Sequence, residues 1–180
     1  VDRLIDVFGE TIALLADRGH VFDVVIPPVA HVRPLIEARS ANWRVKPKFV
    51  EAADKYAAMR LARAALAASG TVTLELGLAQ IPSVIAYKVD AVTAAVVRRL
   101  IATDTAVLAN LVLGERVYPE FIQQDCTAER MSAALGELMT DGPAHTRQVE
   151  QLSRIPGKMQ LASGTPSERA AEVVIDIARR

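Results

Sequence analysis

Leu66-Ala67-Ala68-Ser69-Gly70-Thr71-Val72-Thr73-Leu74-Glu75 is the stretch on which the fold of this chain turns. A short apolar run ends at Ser69-Gly70-Thr71, and a helical pattern opens directly behind it over 72–79, until Ile81-Pro82 breaks it. A brief apolar run in front of a glycine turn reads as a buried strand. Strand, turn and helix make the first half of a βαβ unit, and residues 83–87 supply its second strand. The same alternation extends outward. Upstream, Leu4, Ile5, Phe8, Ile12, Leu15 and Ala16 recur at helical spacing, and the pattern stops at Gly19. Residues 21–26 read as a short buried strand ended by Pro27-Pro28. Helices are predicted over 31–38 and 52–63, with a brief strand at Phe49-Val50 after Pro47. Downstream, 91–101 is helical, 106–108 is strand-like, and helices follow over 127–139, 144–154 and 167–178. Strands separated by helices imply a parallel sheet with right-handed crossovers. The expected architecture is therefore α/β: strands 21–26, 66–68, 83–87 and 106–108 as parallel neighbours in one sheet, helices on both faces, and trailing C-terminal helices. The Pro- and Gly-rich stretch 155–166 reads as flexible. That gives a main domain over 1–154, then a linker and last helix over 155–180.

Composition narrows the function classes. The chain has 180 residues, 21 Lys plus Arg and 21 Asp plus Glu. This balance argues against a nucleic-acid binder, which needs a basic excess to displace counterions. Hydrophobic residues make up 51% and aromatics only 4%. The core must then be built from Ala, Val, Leu and Ile, as suits helices on a doubly covered parallel sheet. The single cysteine, Cys126, can form no disulfide within the chain and has no nearby His to activate it, so it reads as structural. The three His (His20, His31, His145) are scattered without metal-ligand spacing, and no metal is expected. No apolar run reaches the roughly 18 residues that span a bilayer.

Ligands of open parallel sheets bind beyond the carboxyl ends of the strands. The turn Ser69-Gly70-Thr71 stands at such an end. Gly70 lets the backbone turn tightly, and the first amides of the next helix lack internal partners. Together with the helix dipole they suit a phosphate, to which the Thr71 and Thr73 hydroxyls can add donors. Glu75, one turn in, can accept bonds from ribose hydroxyls. The simpler reading is plain capping, with Ser69 or Thr71 as N-cap and Glu75 supporting the first turn. Asn110 falls at the expected end of strand 106–108, where an amide both donates and accepts; the simpler reading is a turn residue bonded to its own backbone. Tyr118-Pro119-Glu120-Phe121 reads as a hinge into a helix, with Glu120 a solvated first-turn acid. Along 91–101, Val92, Val96, Val97, Leu100 and Ile101 form an apolar stripe beside Arg98-Arg99. Such a stripe suits an anionic membrane surface; an ordinary packed helix is the simpler account. Asp2, Asp6 and Glu10 share one helical face and read as solvent-facing.

Four segments occur in order: Ser69-Gly70-Thr71-Val72-Thr73-Leu74-Glu75, Ile81-Pro82-Ser83-Val84-Ile85-Ala86-Tyr87-Lys88-Val89, Ala109-Asn110-Leu111-Val112-Leu113-Gly114-Glu115 and Pro119-Glu120-Phe121-Ile122-Gln123. Together with Ser167-Glu168-Arg169-Ala170-Ala171 near the end, they resemble the C-terminal part of the lipid-A-disaccharide synthase family over nearly the whole chain. The resemblance implies one Rossmann-like half of a GT-B glycosyltransferase. It implies transfer of 2,3-diacylglucosamine from UDP to 2,3-diacylglucosamine 1-phosphate in lipid A biosynthesis, with UDP-diacylglucosamine as donor substrate and neither metal nor other cofactor. Ser69, Gly70, Thr71 and Thr73 would line the diphosphate, Glu75 the ribose, and Asn110 the catalytic cleft.

The family's Gly-Ser-Arg-x-x-Glu element and its N-terminal acceptor domain, which carries the catalytic carboxylate and the acyl-binding surface, are expected before Val1. Ala109 stands where many members have Pro. The isolated chain is accordingly expected to be inactive. Its expected partners are the UDP-sugar donor, the lipid acceptor, the missing N-terminal domain, a second copy paired through an exposed sheet edge, and the inner-membrane surface. The resemblance places the protein in the cytoplasm, peripheral on the inner membrane of a Gram-negative bacterium. The competing reading is a non-catalytic α/β interaction module that kept the fold and lost the chemistry. A UDP-sugar epimerase of the same two-domain architecture is the third.

Overall fold

The computed structural model describes residues 2–89, 105–161 and 164–179. Among these the elements run α1 (Ile5–Asp17), β1 (Val25–Ile26), α2 (Arg33–Ser40), β2 (Lys48–Phe49), α3 (Lys55–Leu61), β3 (Ala65–Ala68), α4 (Val72–Leu78), β4 (Ser83–Tyr87), α5 (Leu108–Leu113), β5 (Glu120–Ile122), α6 (Ala128–Leu138), α7 (Pro143–Leu152), α8 (Ile155–Met159) and α9 (Pro166–Ala178). The helix expected over 91–101, with its apolar stripe and Arg98-Arg99, lies outside the described residues. The expected α/β class holds: parallel strands flanked by helices, in the Rossmann-like manner, with trailing C-terminal helices.

The strand–turn–helix–strand unit forms as its pattern requires. β3 pairs parallel with β4, with Ala65 opposite Ser83 and Ala68 opposite Ala86. β4 is buried on both faces, and its side chains alternate between two cores. Val84 and Ala86 join Leu4, Ile12 and Leu15 at α1 and Met131, Leu135 and Leu138 of α6. Ile85 joins Leu76, Val107, Leu113, Tyr118, Leu152 and Ile155. Full burial of each such Leu or Ile stabilises by about 1.5–3 kcal/mol, so aliphatic side chains suffice where aromatics are few. α1 ends where Gly19 predicted. Gly19 has φ 85°, and the amides of Gly19 and His20 return to the carbonyls of Ala16 and Leu15 at 3.1 and 3.2 Å, a left-handed glycine cap. Close approach fixes Gly9 and Gly77. A Cβ on Gly9 would collide with the indole of Trp43, and one on Gly77 would stand 2.5 Å from Ile155 Cδ1.

Several expectations need correction. The strands form two sheets, β1–β2 and β3–β4–β5, where one had been expected. Strand 21–26 contracts to Val25–Ile26, and Val21 is 98% exposed. The lost residues, 21–24, lie ahead of the pairing with β2, which begins with Val25 opposite Lys48, while Pro27-Pro28 ends the strand where expected. Residues 106–108 are not a strand: Ala106 lies in a bend, Val107 is the extended N-cap of α5, and Leu108 opens the helix. The third strand of the main sheet is β5, where a hinge into a helix had been expected; Ile85 stands opposite Glu120 and Tyr87 opposite Ile122. Pro119 ends its approach, and its carbonyl accepts the Ile85 amide at 3.0 Å. The stretch 155–166 opens as α8, with Ile155 fully buried against α4 and α5, so its start is packed and not loose. Asp2, Asp6 and Glu10 are exposed, as expected of a solvent-facing row, and Asp2 and Asp6 pair there with Arg39 of α2.

Candidate functional site

β3, β4 and β5 run parallel and end at Ala68, Tyr87 and Ile122. The turn Ser69-Gly70-Thr71, the loop Lys88-Val89 and the turn Gln123–Asp125 therefore share the carboxyl edge of one sheet. The Ser69 amide extends the ladder to Ala86 O at 2.9 Å. Its hydroxyl crosses to Ala106 O at 2.6 Å. Gly70 has φ 155°, a conformation that side-chain-bearing residues rarely adopt, although a Cβ would meet nothing there. Among the described residues, the amides of Gly70, Thr71 and Val72 donate to no protein acceptor. Thr71 is exposed, while Thr73 is fully buried. The Thr73 hydroxyl donates to Gly70 O at 2.8 Å and so braces the turn from inside.

Glu75 faces a residue that the sequence did not single out. Its Oε2 accepts from Lys55 Nζ at 2.6 Å, and each side chain is 28% exposed. The bond from Glu75 raises the Lys55 ammonium above its ordinary pKa. The ammonium also lies 4.6 Å from the Tyr56 ring centroid. A pair this exposed stabilises the fold by no more than about 1 kcal/mol.

Asn110 sits inside α5, not at a strand end, and is 1% exposed. Its Oδ1 accepts the amides of Val117 and Tyr118 at 3.0 and 2.9 Å. Its Nδ2 donates to Tyr118 O at 3.1 Å and Glu120 Oε1 at 3.0 Å, with Thr105 Oγ1 at 3.3 Å. The side chain thus clasps the loop that follows α5, which itself turns at Gly114 with φ 71°. The Tyr118 hydroxyl donates to Ile81 O at 2.9 Å, and burial pushes the phenol pKa up. Glu120 is half-buried, not a solvated first-turn acid: it accepts from the Thr105 hydroxyl, the Ala106 amide and Asn110.

Ser69 and Asn110 are thus brought together through Thr105, Ala106 and Glu120, whereas Glu75 belongs to a separate pair with Lys55. Lys55 and Thr105 escaped sequence reasoning, and Glu120 was named there but read as a solvated acid. The Pro119-Glu120 step ahead of two β-formers was the available signal for Glu120; Lys55 left none. Further along the edge, the Gln123 side chain ties itself to the backbone of Val89 at 2.9 and 3.1 Å. With Lys88, Gln124, Cys126 and Thr127 it lines a shallow recess. Burial pushes the Cys126 thiol pKa up, which suits a packing residue and not a nucleophile.

The fold and this edge define an α/β protein with a Rossmann-like parallel sheet and a glycine turn at its carboxyl end. A model of the lipid-A-disaccharide synthetase family matches residues 1–174, and the chain belongs to that family. The lipid-A-disaccharide synthase of Rhodopseudomonas palustris (strain HaA2) is 45% identical over 181 residues, covering 100% of this chain and 46% of that protein. That of Bradyrhizobium diazoefficiens is 44% identical, covering 98% and 45%. That of Paramagnetospirillum magneticum is 39% identical, covering 99% and 46%. The chain spans about half the length of the curated relatives it matches.

Proposed function

We propose that this chain is the donor-holding half of a GT-B glycosyltransferase that moves 2,3-diacylglucosamine from UDP to 2,3-diacylglucosamine 1-phosphate, a step of lipid A biosynthesis. The UDP diphosphate rests on Ser69-Gly70-Thr71, and Glu75 takes the ribose hydroxyls. The observation that carries this reading is the turn itself: three amides without a partner among the described residues, with Glu75 one helical turn on, at the carboxyl edge of a parallel sheet in a chain of this family. Thr73 serves from within by fixing Gly70 O. Asn110 contributes through the shape of segment 105–118, because its contacts are intramolecular.

Transfer with inversion needs a base on the acceptor hydroxyl and stabilisation of charge on the departing UDP. The turn supplies the second. The base, the acyl-binding surface and the charged arginine for the diphosphate are assigned to the remainder of the parent protein, and no metal is invoked. The lipid substrates place the enzyme at the cytoplasmic face of the inner membrane as a peripheral protein; among the described residues no helix is long and apolar enough to cross a bilayer. One observation favours a second reading, a non-catalytic module: Glu75 already has Lys55, and Asn110 has no bond to spare.

Calorimetry with UDP separates the two. The donor-holding reading expects binding that Glu75→Ala weakens about tenfold or more, the worth of a charge-assisted hydrogen bond of about 1.5–3 kcal/mol. Unchanged affinity in that variant would remove Glu75 from the site. No binding by the unaltered chain or by the complete enzyme would favour the second reading.

A further inference from the structure

We propose that Glu120 is a positioning residue that sets the diphosphate turn from the neighbouring strand; this rests on the reading of Ser69-Gly70-Thr71 given above. One chain of bonds leads outward from the sheet to that turn. β4 is the buried centre of the sheet, and its Ile85 is paired with Glu120 at the start of β5. The backbone of Glu120 is therefore fixed by the core. Its carboxylate reaches away from the strand and takes three donors: the amide of Ala106 at 3.0 Å, the Asn110 side chain at 3.0 Å and the Thr105 hydroxyl. Thr105 Oγ1 in turn accepts the amide of Val107 at 3.1 Å. The peptide groups from 105 to 107 are thus gripped on their N–H sides by one carboxylate and its relay. On the outward side, Ala106 O accepts the hydroxyl of Ser69 at 2.6 Å.

Ser69 has no other side-chain bond among the described residues. The Ser69 amide is anchored on Ala86 O and Gly70 O is braced by Thr73, so the side-chain tie that completes the hold on the turn is the one from Ser69 to Ala106 O, and Ala106 is held by Glu120. A carboxylate suits this post because both its oxygens only accept, and all three neighbours donate. A glutamine would turn an N–H₂ toward one of these donors and leave the grip incomplete. The amides of Gly70, Thr71 and Val72 would then lose their fixed direction, although the sheet beneath would stand.

The test is Glu120→Gln, with Ser69→Ala breaking the same link from its other end. Amide resonances of 69–72 are read by NMR without ligand, and affinities for UDP and for uridine by calorimetry. The expected result is displaced resonances at 69–72 in Glu120→Gln and at 105–107 in Ser69→Ala. UDP affinity should fall about tenfold, uridine affinity should stay within twofold, and the double variant should be no worse than the single ones. Unmoved resonances at 69–72 in a folded Glu120→Gln protein would overturn the proposal, as would equal losses for UDP and uridine. Should Glu120→Gln fail to fold, Glu120→Asp, which keeps the charge but shortens the reach, takes its place, and the resonances at 69–72 with the same split between UDP and uridine decide. If the unaltered protein binds no UDP, the diphosphate reading falls, and the resonances still decide whether Glu120 sets the turn.

Discussion

The turn at 69–71 and the cluster around Asn110 lie at the same end of the molecule and treat polar atoms in opposite ways. Around Asn110 every polar group of the side chain is used, and the residue is sealed from solvent. At the turn three amides have no protein partner among the described residues, and Gly70 and Thr71 are exposed. A saturated cluster stabilises the fold and has nothing left to give a ligand. A turn with spare donors adds little to stability and can change partners without disturbing the core. The difference separates a saturated brace from a turn with donors to spare, although the two look alike as letters in a sequence.

The largest effect belongs to the brace. Asn110→Ala strands the amides of Val117 and Tyr118 in the interior, each costing about 1–3 kcal/mol. A total loss of about 3–5 kcal/mol is expected in urea denaturation; a loss under about 1 kcal/mol would show that Asn110 holds nothing. Gly77→Ala comes next. Its methyl must displace Ile155 Cδ1 from 2.5 Å in a packed core, a cost of about 1–3 kcal/mol, against which the helix propensity of Ala returns up to about 1 kcal/mol. A net destabilisation is expected, and a stabilised variant would mean that α8 moves freely on α4.

Tyr118→Phe removes the bond to Ile81 O and should cost about 1 kcal/mol near neutrality. Here the sign with pH is informative. Burial raises the folded-state phenol pKa above its unfolded value of about 10, so the folded chain holds more protons in alkali. That contribution is complete below about pH 10 and is lost as pH rises further. The unaltered chain should therefore lose stability above pH 10 more steeply than Tyr118→Phe; equal slopes would mean that the phenol is not sealed. The smallest expected effect lies at the turn. Thr71→Ala should change stability by less than about 0.5 kcal/mol, as for an exposed position. A loss near 2 kcal/mol would show that the turn is a second brace.

How much of this is legible beforehand follows from the range of the interactions. The unit from Leu66 to Tyr87 is legible because its signals are local: an apolar run, a glycine turn and a breaker at Pro82. The segment 106–122 is not. α5 has six residues, too few for a helical period to show, and Ala106-Val107-Leu108 mimics a strand. β5 has three residues behind a proline and is a strand only because Ile85, some thirty-five residues earlier, offers it a ladder. Asn110 is recognisable as an amide needing partners, but those partners are Thr105 and residues of 117–120, and no spacing rule names them. The same holds for Lys55, whose meeting with Glu75 depends on how α3 packs.

The contact between Gly9 and the indole of Trp43 has an optical consequence. Trp43 is the sole tryptophan of the sequence, and it packs against the core shared by α1 and α6. Its emission is a local gauge of whether α1 is seated. A fluorescence melt of this chain would record the undocking of that helix, whereas a quiet signal during a nucleotide titration would say nothing of the turn at Gly70. An indole introduced near that turn, or a signal carried by the ligand, is needed to see it.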